Sequence, residues 1–242
     1  MVAPADPNGV VRAGAPARLD HSLASWGYVM GGTQRLRRLI ALALLAAGAG
    51  IAVLAFLLVR LGGNNLHEVQ AGKVYRAAEL DESTLAEVLQ RHGIRTVLRL
   101  VGTEDSNRDS YAREQAVCAE AGITLEVAPL ATSRPPRRKE LLRLFEVLDR
   151  IAAGQSSLPM LVHCSAGSDR TGLVSVIWLH DYQGVDYETA RRQLAFTPYM
   201  HVRWGEAGVL DDFLAQYEKW RAENPSRLSI RDWTLQHYQP GT

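Results

Sequence analysis

Cysteine and lysine are scarce in this 242-residue chain, and each scarcity excludes something. The only cysteines are Cys118 and Cys164, too few for a disulfide-stapled scaffold. Lysine occurs only at Lys73, Lys139 and Lys219, so arginine carries nearly all the positive charge. With a net charge of +1 and no long run of like charge, nothing resembles a nucleic-acid-binding arm. Histidines and carboxylates do not cluster at ligand spacing, so no metal and no other cofactor is implied. No internal repeat is visible. What is plentiful is apolar: 47% hydrophobic residues suffice for the core of one domain with appendages.

Residues 1–34 carry Pro4, Pro7, Pro16 and several glycines without sustained periodicity, and are expected to be a disordered tail. From Leu39 to Val59 no charge occurs over 21 residues. As a helix that run is about 31 Å long, the thickness of a bilayer's hydrocarbon core. It is longer than the apolar region of a cleaved signal peptide and ends in Arg60 rather than at a small-residue cleavage site, so 35–61 reads as a single transmembrane anchor. Arg35, Arg37 and Arg38 crowd its amino side against Arg60 on the other. That bias keeps the tail in the cytoplasm and places the remainder of the chain on the extracytoplasmic side. A linker, 62–68, leads to a catalytic domain at 69–224, and then comes a C-terminal extension at 225–242 whose role the sequence does not assign.

The densest chemistry lies between His163 and Gly172, His-Cys-Ser-Ala-Gly-Ser-Asp-Arg-Thr-Gly. Met160, Leu161 and Val162 precede it as a strand, and Leu173, Val174, Val176, Ile177 and Leu179 come after it at helical spacing. A strand-to-helix turn leaves its first amides unpaired at the positive end of the helix dipole, so the backbone of Ser165, Ala166, Gly167, Ser168, Asp169 and Arg170 can curl around a phosphate. Gly167 suits the bend. A cysteine at the base of such a cup favours the thiolate, an in-line nucleophile for phosphorus. The planar fork of Arg170 can hold two phosphate oxygens at once, and the Thr171 hydroxyl can donate to the sulfur.

Cys164, five residues, Arg170 and Thr171 resemble the signature of the cysteine-dependent protein tyrosine and dual-specificity phosphatases. Lys73-Val74-Tyr75-Arg76 is similar to the Tyr-Arg-Ser opening strand of bacterial members, with Ala77 where serine is usual. The resemblance implies hydrolysis of phosphate monoesters through a phosphocysteine, with His163 ordering the loop and favouring the thiolate. The implied substrate is a phosphorylated protein or, as the alternative, a phosphoinositide or other anionic phospholipid. A different class also stands, a catalytically impaired module that only binds phosphate.

The rest of the chain alternates. A helix carrying Leu85, Val88 and Leu89 precedes a strand at Thr96–Leu100, and a helix from about Asn107 to Glu120 precedes a strand near Thr124–Val127. A helix over Arg138–Ala153 comes next, and beyond the motif are amphipathic segments at Tyr187–Leu194 and around Val209–Trp220. This order predicts an α/β fold with a central, mostly parallel sheet of four to five strands flanked by helices, the ligand lying at the carboxyl ends of the strands.

One part of the family pattern is missing. The resemblance calls for an aspartate, the general acid, on the loop after Val127-Ala128-Pro129-Leu130, and that loop reads Ala131-Thr132-Ser133-Arg134-Pro135-Pro136-Arg137. Asp169 is the nearest replacement, an acid position considered in myotubularin-like and some bacterial lipid-active phosphatases; otherwise it caps the helix or pairs with Arg170. Asp105 and Asp109 are the runners-up. Arg134, Arg137, Arg138 and Lys139 form a basic group that suits a multiply charged substrate or simply a solvated helix start. Arg76 either reaches the phosphate site from below or pairs with Glu79. His201 reads as structural, and Cys118 as a buried apolar residue.

Overall fold

The computed structural model describes residues 23–62, 64–154, 157–204, 208–224 and 228–240. The chain forms two units, Met1–Ala55 and Phe56–Thr242. The first contains most of helix α1 (Leu23–Gly62). Within α1, Gln34–Ala55 has a mean hydropathy of 2.2, and that stretch is long and apolar enough to cross a membrane. Leu39, Leu42, Leu45 and Ile51 are all exposed along it. Residues 23–34, expected as tail, continue the helix: once the apolar run is helical, each added residue costs far less than nucleation. Residues 1–22 of that tail lie outside the described residues.

The second unit is an α/β fold. Its five strands are β1 (His67–Gln70), β2 (Val74–Ala77), β3 (Thr96–Arg99), β4 (Thr124–Val127) and β5 (Met160–His163), in the order β1-β2-β5-β3-β4. Only β1 runs antiparallel, forming a hairpin with β2. Expected linker residues are therefore part of the sheet: His67 opens β1, and the Asn64 carbonyl accepts from the Ala78 amide at 2.7 Å.

Alternation along the buried strands divides the core. Tyr75, Val97 and Leu161 face one side, against Leu85 and Val88 of α2 (Glu82–Arg91) and Cys118 of α3 (Arg108–Glu120). Val74, Leu98 and Val162 face the other, against α4 (Arg138–Ala152), α5 (Asp169–Ile177), α6 (Tyr187–Arg191) and α7 (Gly208–Glu223). Thr171 to Ile177 are all buried, so α5 beyond its first two residues is enclosed on every side and runs through the middle of this layer. The described residues of the C-terminal extension, 228–240, pack into the domain. Its helix α8 (Ile230–Gln236) buries Ile230 and Trp233 in the same core, and Ser229 caps it by accepting from the Asp232 amide at 2.9 Å.

Register positions the site. Ala77, His163 and Arg99 lie side by side across β2, β5 and β3, so all three strands end level with Cys164.

Candidate active site

Residues 164–168 form the turn from β5 into α5, and their conformation is set from outside the turn. The Ser165 carbonyl accepts from the Glu79 amide at 3.3 Å, and the Ala166 carbonyl from Asn65 Nδ2 at 3.0 Å. The Gly167 and Ser168 carbonyls both accept from Nη2 of Arg76, at 2.8 and 3.1 Å. In a planar trans peptide the carbonyl and the following amide point in opposite directions. Four carbonyls bound from behind therefore turn the amides of Ala166, Gly167, Ser168 and Asp169 toward the mouth of the cup. Gly167 has φ +68°, and a Cβ there would stand 2.6 Å from the backbone of Ala77 and Ala78, so both conformation and space require glycine.

Arg76 is fully buried beneath this turn. Its Nη1 donates to the carbonyl and the side-chain oxygen of Gln193 at 2.7 and 2.9 Å, and its guanidinium lies 4.0 Å from the ring centre of Tyr199. Burial lowers it to about 10, against the pull of Tyr199, Cys164 and Asp169, so it remains a cation at neutral pH. Of its two sequence readings, the approach from below is the one found. Glu79 pairs instead with Arg99, at 2.8 Å.

A second buried chain supports the cysteine's neighbour. His163 Nε2 meets Glu114 Oε1 at 2.5 Å, and Glu114 Oε2 accepts from Arg99 at 2.7 Å. Burial works against the Glu114 carboxylate, but His163 and Arg99 outweigh it and hold the group below its usual range.

Cys164 is buried at the base of the turn. Arg170 reaches across the mouth: Nη2 donates to Ser165 Oγ at 3.1 Å, and Nη1 to the carbonyls of Leu100 and Leu130 at 3.2 and 3.4 Å. Its Nε is buried and unpartnered among the described residues. Thr171 Oγ1 is likewise buried without a partner, so the hydrogen bond to sulfur that the sequence suggests is not made.

Asp169 neither caps α5, where Ser168 holds the cap position, nor pairs with Arg170. Its Oδ1 meets His201 Nδ1 at 2.7 Å, and His201 Nε2 meets Asp211 Oδ2 of α7 at 2.8 Å. Burial disfavours the imidazolium, yet the hydrogen bonds to Asp169 and Asp211 prevail and push His201 up to about 9. Asp211 is also paired with Arg191.

Beside Arg170 lies a cavity of about 340 Å³ bounded by Gly102, Glu104, the 129–134 loop, Glu140 and Arg170. Asp105 and Asp109 do not line it; both are exposed, and Asp105 pairs with Arg108 at 2.5 Å. Within the basic group Arg134 is half-buried and pairs with Glu140, and Arg138 donates to the Leu235 carbonyl at 2.5 Å; Arg137, Arg138 and Lys139 are exposed and do not line this cavity. Cys118 packs on the opposite face of the sheet from Cys164, and burial, with Glu114 adding to it, pushes its thiol up to about 12.

No curated protein sequence matches the chain. Among solved structures it is similar to P. aeruginosa TpbA at 22% identity, with 66% of this chain and 91% of that one covered and a TM-score of 0.47. It is also similar to the catalytic core of the S. cerevisiae PP-IP phosphatase Siw14, at 16% identity, 66% and 93% coverage and a TM-score of 0.46. For Tk-PTP the figures are 22% identity, 63% and 97% coverage and a TM-score of 0.46. The model of the tyrosine phosphatase family matches residues 60–201, more than half of the chain and the whole of the turn built around Cys164, and the chain belongs to that family.

Proposed function

We propose that Cys164 is the nucleophile of this cysteine-dependent phosphatase and that residues 165–170 hold the phosphate it attacks. The observation that carries this reading is the set of four loop carbonyls bound from behind, which aims successive amides at one point above the cysteine. Such donors are fixed before the reaction and stabilise charge that develops on the equatorial oxygens. Arg170 supplies the remaining charge. A phosphocysteine forms and water hydrolyses it. Asp169 is a positioning residue in this scheme, because its carboxylate is engaged by His201 on the side wall of the cup.

The substrate we favour is a phosphorylated protein side chain rather than a phospholipid. Arg134 is paired with Glu140, and Arg137, Arg138 and Lys139 do not line the cavity beside Arg170, which leaves the mouth suited to a single phosphate held by Arg170. The test uses the full chain in detergent, wild type and Cys164→Ser, on an aryl phosphate, a phosphotyrosyl peptide and phosphoinositide vesicles. The serine variant should lose on the order of 10⁴-fold or more on every ester the wild type hydrolyses. A serine variant as active as wild type would remove Cys164 from the mechanism. Faster turnover of vesicles than of peptide would reverse the substrate assignment.

For the apolar helix we propose a single-pass anchor with the catalytic unit on the extracytoplasmic side, from Arg35, Arg37 and Arg38 at one end against Arg60 at the other. Protease added outside intact cells should then remove the catalytic unit. Protection of that unit until the cells are lysed would invert the topology.

A further inference from the structure

The leaving oxygen needs a proton, and the loop expected to carry the donor has no carboxylate between Ala131 and Arg137. We infer that Glu104 is the general acid, supplied from the loop after β3 instead; the inference rests on Cys164 being the nucleophile. Arg170 is where the two loops meet, since Nη1 holds the carbonyl of Leu100 on one and of Leu130 on the other. The cavity between those loops opens beside Arg170. A leaving group projecting from a phosphate on Arg170 enters it.

Two carboxylates line that cavity, Glu104 and Glu140. Glu140 is taken: it accepts from the Arg134 guanidinium and from the Arg137 amide at 2.9 Å, and these outweigh its burial and hold it in the anionic form. Glu104 makes no side-chain hydrogen bond or ion pair among the described residues. The chain at Glu104 is extended just before the 3₁₀ turn Asp105–Asn107, and the side chain folds back over Gly102, where a Cβ would stand 1.9 Å from Oε2. A side chain at 102 would push the carboxyl out of that position. Asp169 is engaged by His201, and Asp105 and Asp109 do not reach the cavity.

In the first step the Cys164 thiolate forms the S–P bond as the P–O bond to the leaving group breaks. The Glu104 carboxylic acid passes its proton to that oxygen, which departs as a neutral alcohol. In the second step the Glu104 carboxylate takes a proton from the attacking water, the new P–O bond displaces sulfur, and inorganic phosphate leaves with the acid restored. The sum is ester plus water to alcohol plus phosphate, and no other reactant is needed.

The experiment compares wild type, Glu104→Gln, Gly102→Ala and Cys164→Ser, each as the full chain in detergent, on a nitrophenyl and an alkyl phosphate across pH. General acid catalysis contributes about 10²–10⁴-fold, so Glu104→Gln should lose that much on the alkyl ester and under about tenfold on the nitrophenyl ester, whose leaving group needs little protonation. Gly102→Ala keeps the carboxylate but displaces it, and should show the same dependence on leaving group in milder form. Equal losses on both esters, or a leaving-group dependence unchanged from wild type in both variants, would overturn Glu104. An active Cys164→Ser would instead overturn the nucleophile, which keeps the two failures apart.

Discussion

The underside of the turn from β5 into α5 and its mouth are built to opposite standards. Beneath the turn, Arg76 and the His163–Glu114–Arg99 chain are buried, and their partners lie far apart in sequence, 117 residues in the case of Arg76 and Gln193. At the mouth, Glu104 and Ser133 are exposed, and the loops are joined by the Leu130 amide donating to the Leu100 carbonyl at 3.2 Å and by Arg170, which donates to both loops. Groups that stabilise charge must not move during the reaction, and buried hydrogen-bonded supports keep them still. Groups that accept varied leaving groups gain from being on loops. Specificity and proton delivery can therefore change at the mouth without disturbing the cup.

The sharpest way to break this contrast is at Arg76. Arg76→Ala strands the carbonyls of Gly167 and Gln193, buried acceptors whose loss of a partner costs about 1–3 kcal/mol each, and leaves the Ser168 carbonyl with the Gly172 amide alone. Stability should fall by roughly 3 kcal/mol or more by chemical denaturation, and turnover by about 10²-fold on aryl and alkyl esters alike, since the cup itself is misplaced. Arg76→Lys keeps the charge but cannot reach acceptors on both sides, so it should recover only part of either loss. A wild-type midpoint together with wild-type turnover in Arg76→Ala would show that the underside does not hold the cup.

The same contrast separates what the sequence shows from what it hides. The boundaries of β4 and the run of α5 are legible from apolar periodicity, and the Cys164–Arg170 turn from a local motif whose strand and helix flank it directly. Asn65, Glu114, Gln193 and Tyr199 carry no local signal, because each acts on a residue brought close only by the sheet. Asn65, for instance, donates to Ala166 and to the Tyr199 carbonyl, 101 and 134 residues away. β1 was hidden because His67-Glu68-Val69-Gln70 has one apolar residue in four and owes its conformation to pairing with β2. Helix α8 had a readable signal, Ser229 with Asp232 three residues on and Ile230 close behind the cap. Glu104 is hidden differently: a family pattern directs attention to the 131–137 loop, whereas the cavity joins that loop to the one after β3.

A smaller effect is expected at His201, which belongs to the side wall rather than the underside. His201 faces Asp169 from α5 and Asp211 from α7, with Arg191 paired to Asp211 and Arg203 at 3.9 Å from it. Its value in the folded chain, about 9, lies above the unfolded 6.5. The stability this adds is complete below about pH 6.5 and is lost as the pH rises through 9, and the difference corresponds to at most about 3 kcal/mol. Wild type should therefore lose stability between pH 7 and pH 10 by more than His201→Gln, whose neutral amide does not titrate. Superimposable pH profiles for the two would show that the imidazolium contributes nothing to the wall. In turnover, the proposed scheme, in which Asp169 positions the cup and Glu104 gives the proton, has His201→Gln slow nitrophenyl and alkyl esters equally. A loss confined to the alkyl ester would move the acid from Glu104 to Asp169, and proton delivery from the mouth into the wall.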